Sequence, residues 1–297
     1  MILVTGVSGA LGGLVLAGLR AQPDLEVLAG SSSGDGETVR RVDFDDPATL
    51  ESGFRGVDVL VFVSAGFAED DVVTARHGAV VDAAARAGVR HVIYTSLSAS
   101  ARHSTIAVPH LWTESRLAAA PFASTVLRNG RYSEFTAGLA VQGAAAAAET
   151  GVFAAPFGTG SISGVARADL ADVAVRVAAE TERALRAGDA GPHAGRTYEL
   201  EGLTAVSGAD LAALLSESLG RPVEYQDVPL TAVRESLAGA PAYQIGHGIS
   251  LFSNLKAGFL HADGGDLPAL LPNAPRSLRD DIAGALGDAV SASVVRQ

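Results

Sequence analysis

The sequence contains no cysteine, so a disulfide framework, a thiolate metal site and a cysteine nucleophile are all excluded. Lysine is almost as scarce: of 22 basic residues only Lys256 is a lysine, the other 21 being arginines. Aromatic residues make up 5% of the chain and charged residues 19%. Basic charge is in deficit, 22 Lys and Arg against 33 Asp and Glu for a net charge of −11, which argues against nucleic acid or an anionic membrane as a partner. Apolar runs break before about 18 residues, too short to span a bilayer, and no basic-then-apolar leader opens the chain. A soluble, cytoplasmic protein is the resulting expectation. What is abundant is apolar residue, 48% of a chain of 297, with 34 glycines. That is ample for a large core and incompatible with disorder.

Over the first 130 residues, short β-branched runs alternate with helical stretches. The runs fall at Ile2–Thr5, Glu26–Ala29, Arg41–Phe44, Val57–Val63, Arg90–Thr95 and Ser124–Arg128. The intervening stretches are Leu11–Ala21, Pro47–Phe54, Asp71–Ala87 and Leu111–Ala119. Val59–Val63 and Val92–Tyr94 are apolar at every position, the pattern of strands buried on both faces of a parallel sheet. Gly56 and Gly88 stand where helices should stop. This predicts an α/β fold, a Rossmann-like doubly wound parallel sheet. Beyond Arg128 the pattern weakens. Ser133–Thr150 reads as one alanine-rich helix stopped by Gly151, and Ala154–Ser163 reads as loop. Asp169–Ala179, Arg196–Glu201, Gly208–Leu219 and Pro222–Val228 suggest a smaller α/β portion, and residues 240–297 show no motif. The expected organisation is a nucleotide-binding unit over 1–150 and a smaller substrate-binding portion over 151–297, not independently folded.

Directly after the first strand runs Thr5-Gly6-Val7-Ser8-Gly9-Ala10-Leu11-Gly12, a G-x-x-G-x-x-G spacing that opens a helix. Glycines here permit a tight turn, close approach to a pyrophosphate and tight helix–strand packing. The amides of the helix start then face the phosphates. A dinucleotide site is the expectation. No H-x-x-x-H or H-E-x-x-H pair occurs, so no metal site is expected. The Gly6-x-Ser8-x-Ala10 stretch is not the elbow of a serine hydrolase.

These features, with Asp43-Phe44, His91–Leu97, His110-x-x-Thr113-Glu114, Leu127–Gly130 followed by Tyr132-Ser133-Glu134, and Arg167-x-Asp169, resemble the NmrA-like branch of the atypical short-chain dehydrogenase/reductases. Within that branch they are similar to bacterial NAD(P)H:quinone oxidoreductases. The resemblance covers about the first 170 residues in order and loosely extends to about 230. It implies that Gly6, Ser8, Gly9, Ala10, Leu11 and Gly12 line the pyrophosphate, and that Asp43 and Phe44 flank the adenine. Val63, Ser64 and Ala65 would lie along the nicotinamide ribose, with Thr95 and Ser96 facing the nicotinamide. Ser96, His110, Trp112, Asn129 and Tyr132 are candidate substrate contacts; Ser96, His110 and Tyr132 are candidate catalytic groups.

Two departures qualify the resemblance. At the end of the second strand the relatives carry an arginine suited to a 2′-phosphate; here the chain reads Ser31-Ser32-Ser33, with no base until Arg40 and no acidic residue to grip a bare ribose. Ser31 is the expected contact, and the choice between NADH and NADPH stays open. The Tyr-x-x-x-Lys dyad of most short-chain dehydrogenases is impossible, because Phe252 stands four residues before the sole lysine. The expected function is NAD(P)H-dependent oxidoreduction of a quinone or polycyclic aromatic compound. Two alternatives remain: a biosynthetic aromatic-polyketide oxygenase using NAD(P)H as reductant, and an NAD(P)-binding redox sensor without turnover. The expected partner is a small aromatic or quinone substrate, and homo-oligomerisation is left open.

Overall fold

A computed structural model describes residues 1–65, 67–262 and 264–294. The N-terminal half contains β1 (Ile2–Val4), α1 (Ala10–Arg20), β2 (Val27–Ser31), β3 (Arg40–Arg41), α2 (Ala48–Gly53), β4 (Val59–Phe62), α3 (Asp70–Ala87), β5 (His91–Leu97), α4 (Ala107–Ala118) and β6 (Ala123–Asn129). There follow β7 (Arg131–Tyr132), α5 (Ser133–Thr150), β8 (Val152–Ala155), β9 (Ser161–Val165), α6 (Arg167–Arg186), β10 (Thr197–Leu200), β11 (Ala205–Ser207), α7 (Gly208–Leu219) and β12 (Glu224–Asp227). The chain closes with α8 (Leu230–Ser236), α9 (Ala242–Lys256), α10 (Leu267–Leu270) and α11 (Leu278–Val294).

Seven strands pair in the order β10-β6-β5-β4-β1-β2-β3, every pair parallel. All residues of β1 and β4 are buried, because helices cover both faces. One face packs Ile2, Val4, Val59 and Val61 against α1 and α6; the other packs Leu3, Leu60 and Phe62 against α2, α3 and α4. The chain moves outward from β1 through β2 to β3, then returns to place β4 on the opposite side of β1. The crevice above this reversal is where a doubly wound sheet receives ligands.

The expected helix stops are observed: Gly88 and Gly151 end α3 and α5 in the left-handed conformation. The third strand is shorter than read from the sequence, ending at Arg41, so Asp43 and Phe44 lie just past it. Ala154–Ser163 is not a plain loop. It contains the end of β8, which pairs with β12, and the start of β9, which pairs with β7 and β11. Gly160 between them packs so closely on α9 that a Cβ would stand 1.8 Å from the Leu255 carbonyl oxygen. Small residues here serve backbone packing, which composition alone cannot distinguish from loop.

Residues after 150 do not stay apart from the large sheet: β10 forms its edge, and α6 lies on its face beside α1. A third core gathers α5, α7, β8, β9 and α11. The motif-free tail is largely helical. Leu278, Ile282 and Leu286 form one apolar stripe of α11, fully or nearly buried against α5 and α7. Removing side-chain volume from such a dry contact costs about 2–5 kcal/mol. Ile282→Ala is therefore expected to lower the urea midpoint by that equivalent; an unchanged midpoint would mean the tail helix contributes nothing to the folded core.

Candidate functional site

Thr5 ties the two strands at the reversal together. Its hydroxyl donates to the Val61 carbonyl (3.3 Å) and accepts the Val63 N–H (3.0 Å). The chain then turns at Gly6, whose φ of 63° favours glycine. A Cβ at Gly12 would stand 2.3 Å from the Gly6 carbonyl oxygen, so the helix start can lie on the turn only if residue 12 is glycine. Ser8, Gly9 and Ala10 are exposed at the mouth, while Leu11 and Gly12 are buried. The start of α1 has no side-chain cap and no acidic residue in its first turn. Its unpaired N–H groups and dipole are thus free for an anion.

This loop forms one wall of a cleft of about 360 Å³ lined by Gly6, Ser8, Gly9, Ser32, Val42, Asp43, Phe44, Asp45, Val63, Ser64, Ala65 and Arg76. Phe44 meets Phe62 edge to face at 5.6 Å. Ser31 does not line the cleft. It is buried, its hydroxyl 3.3 Å from that of Ser33, and the exposed Ser32 takes the cleft position instead. Arg76 escaped the sequence reading because it lies on α3, far along the chain; its guanidinium grips Asp45 through two bonds of 2.7 and 2.8 Å.

The floor continues through Ser64 and Ala65 to the end of β5. The Ser64 N–H donates to Thr95 Oγ1 (2.9 Å), and the Ala65 N–H donates to His77 Nε2 (3.2 Å). Because Nε2 accepts, the His77 proton resides on Nδ1 and is donated to Thr113 Oγ1 at 2.8 Å. Thr113 in turn donates to the Pro109 carbonyl (2.7 Å). Beside this chain the Tyr94 hydroxyl meets His110 Nδ1 at 2.8 Å. Burial pushes the Tyr94 phenol up and the His110 imidazole down to about 4. At neutral pH the Tyr94 phenol and the His110 imidazole are therefore both uncharged.

A second cavity, of about 130 Å³, is lined by Leu97, Ser98, Ala99, Arg102, Ala107, His110, Leu111 and Arg128. The Ser96 hydroxyl donates to Glu114 Oε1 (2.6 Å). Arg128 holds Glu114 through two bonds of 3.0 and 2.6 Å and also Glu199 at 2.8 Å. The Thr113-Glu114 pair thus has two jobs: threonine anchors His77, and glutamate anchors Ser96 and Arg128. Asn129 is buried at the end of β6. Tyr132 packs toward the core with the Arg167 guanidinium 4.6 Å above its ring, and burial raises its phenol pKa. Neither lines the second cavity. Trp112 stands apart from both cavities, on the surface between α3 and α4, where Arg116 stacks on it and its ring fills the space beside Gly78. Lys256 is also remote from them, bonded to Asp227 (2.8 Å) and the Val228 carbonyl (3.0 Å). From the tail, His247 reaches Thr105 Oγ1 (2.7 Å) and Asp70 (3.7 Å), so α9 touches both the approach to α4 and the start of α3. No cluster of potential metal ligands occurs among the described residues.

The glycine cradle, the uncapped helix start and the elongated cleft fit a dinucleotide. Comparison with known proteins agrees. Residues 1–259 match the model of the NmrA-like family. Over 238 residues the chain is 36% identical to quinone oxidoreductase 2 of Escherichia coli (strain K12), spanning 77% of this chain and 78% of that protein. The crystal structure of an NADPH-dependent quinone oxidoreductase from Escherichia coli complexed with NADPH superposes with a TM-score of 0.81 and 31% identity, covering 96% of this chain and 99% of the other. Citrobacter sp. triphenylmethane reductase complexed with NADP(H) gives a TM-score of 0.81 and 28% identity over 96% and 100%.

Three buried imidazoles carry a stability consequence. Burial lowers His77 to about 3, and His91 and His110 to about 4, from 6.5. Below pH 6.5 the unfolded chain binds protons that the folded chain does not, so stability falls as pH falls, by on the order of 1 kcal/mol per histidine per pH unit. The urea midpoint should drop clearly between pH 7 and 5.5, above the carboxylate range. A flat profile there would show that these rings are not held neutral.

Proposed function

The chain belongs to the NmrA-like family, and on that premise we propose that it is an NAD(P)H-dependent oxidoreductase whose acceptor is a quinone or another delocalised aromatic compound. The observation that carries this reading is the buried chain of contacts between the walls of the two cavities. The cleft reaches Ser64 and Ala65 and the second cavity is walled by His110; between them the Ala65 N–H donates to His77 Nε2 (3.2 Å), His77 Nδ1 lies 3.4 Å from the Tyr94 hydroxyl, and that hydroxyl lies 2.8 Å from His110 Nδ1. The reduced nicotinamide supplies the hydride, which requires an acceptor carbon within about 3–3.5 Å.

In this reading Gly6, Ser8, Gly9, Ala10 and the backbone at Leu11 and Gly12 would hold the pyrophosphate. Asp43 and Phe44 would flank the adenine, and Val63, Ser64 and Ala65 would support the nicotinamide ribose. Thr95 and Ser96 would stand behind the nicotinamide. We assign to neutral His110 the tautomer with Tyr94 donating to Nδ1 and the ring proton on Nε2, from which it would hydrogen-bond the oxygen that gains negative charge. A neutral imidazole is a weak acid, and no Tyr-Lys dyad can assist it. That limitation suits a hydroquinone anion, whose charge spreads over a ring, and not the alkoxide of a simple ketone. Asn129 and Tyr132 position the β6 end behind the acceptor.

Steady-state assays are expected to show NADH or NADPH oxidation driven by benzoquinone, naphthoquinone or a polycyclic quinone. Absence of turnover across that panel would sink the reading. Gly9→Asp sets an anion against the pyrophosphate and should abolish cofactor binding in calorimetry with the circular dichroism unchanged. His110→Ala should lower kcat about 10-fold or more through loss of the donor, whereas Lys256→Ala should leave kcat/KM within about two-fold. Loss of turnover in a folded Lys256→Ala variant would contradict the assignment.

A further inference from the structure

The adenosine end of the cleft carries a charge pattern of its own. In a doubly wound sheet the adenosine ribose lies over the end of the second strand, where one side chain distinguishes a free 2′-hydroxyl from a 2′-phosphate. Here that position is Ser32, which carries no charge. Arginines are close, but each is already engaged. Arg40 donates to the carbonyls of Gly53 (2.7 Å) and Arg55 (2.8 Å) at the end of α2. Arg41 stands between Asp43 (3.8 Å) and Asp46 (3.6 Å). Arg76, the one arginine lining the cleft, is held bidentately by Asp45.

The cleft and its rim hold three carboxylates, Asp43, Asp45 and Asp46, paired with Arg41 and Arg76, while the Arg40 guanidinium beside them is spent on the carbonyls at the end of α2. Asp35 adds a further fixed anion in the loop after β2, its carboxylate receiving the N–H groups of Glu37, Thr38 and Val39 and the Thr38 hydroxyl. A 2′-phosphate would bring up to two more negative charges to a rim where Asp35, Asp43, Asp45 and Asp46 outnumber Arg40, Arg41 and Arg76, and to gain a cation it would have to displace a carboxylate or draw Arg40 off its carbonyls. A 2′-hydroxyl has no such requirement. It can donate to a carboxylate or exchange hydrogen bonds with Ser32.

We infer that this chain selects NADH over NADPH, with Ser32 and the Asp45–Arg76 pair as the specificity-determining residues. The inference rests on the dinucleotide-binding reading above, and it sets this chain apart from the two structural relatives described with NADPH or NADP(H) bound.

The test is titration calorimetry of the full chain with NADH and with NADPH at about 0.1 M salt, where charge repulsion across the cleft is only partly screened. NADH is expected to bind about 10-fold tighter, or more, a difference of about 1.4 kcal/mol. Asp45→Asn, which removes a carboxylate and frees Arg76 without changing shape, should narrow the NADH:NADPH ratio about five-fold or more. Ser32→Arg should narrow it further. Arg76→Gln, which leaves the Asp45 carboxylate without its cation, should widen the ratio about three-fold or more. Equal or tighter NADPH binding by the native chain would overturn the inference while leaving the dinucleotide site intact. So would a narrowed ratio in Arg76→Gln, which would show that the charge of the Asp45–Arg76 pair does not set the preference. Failure of both nucleotides to bind would overturn the dinucleotide reading and this inference with it.

Discussion

The parallel sheet is buried on both faces, and that constraint decides where chemistry can occur. A strand such as Val59–Phe62, with no exposed residue, can carry no polar function along its length. Polar groups must collect where the strands end. Thr5, Ser64, Thr95, Ser96 and Asn129 all lie at or beside the carboxyl ends of β1, β4, β5 and β6. The reversal of strand order at β1 opens a crevice between those ends, and the packing of Gly12 on Gly6 brings the start of α1 to its edge. The glycine-lined cleft and the second cavity both lie at these carboxyl ends.

The residues behind those ends divide into two networks. His77, Thr113, Tyr94 and His110 are buried and uncharged, and they hold the Ala65 amide and the His77 tautomer in place. Glu114, Arg128 and Glu199 are charged and only partly buried, the buried Ser96 hydroxyl donates to Glu114, and Arg128 brings this network to the wall of the second cavity. Hydrogen bonding to Glu114 raises the Arg128 pKa still further, so this side keeps its cation at any pH at which the protein is folded. The neutral network can present a weak hydrogen-bond donor, and the charged one can orient but not donate a proton readily. An acceptor that stabilises its own anion matches both.

Much of this was legible in the sequence where local rules act. The glycine loop, the continuous apolar strands and the Gly88 and Gly151 helix stops depend on neighbours within a few residues, and they appear in the structure as read. Features that depend on distant contacts did not show. Arg76 enters the cleft only because α3 lies across from the loop after β3. Ser32 replaces Ser31 at the cleft because the exit of β2 turns the earlier hydroxyl inward, a one-residue difference that strand boundaries read from sequence cannot resolve. Trp112 is an expected pocket residue because it is a polar aromatic in the segment after the fifth strand, but that segment is helical and two positions from His110 on a helix means the opposite side. The tail gave no motif because α11 offers a narrow apolar stripe among Ala, Gly, Ser and Asp, and only α5 and α7 make it a core element.

The central claim is that a hydride passes at these strand ends to a delocalised acceptor without a strong protein acid. The most direct measurement is the rate of anaerobic oxidation of NADH deuterated at the transferable C4 position, compared between a naphthoquinone and an unconjugated cyclic ketone of similar size. The account predicts turnover with the quinone, a primary isotope effect of about two or more on its chemical step, and no measurable reduction of the ketone. Comparable rates with both acceptors would reveal a proton donor that this structure does not account for, and would contradict it.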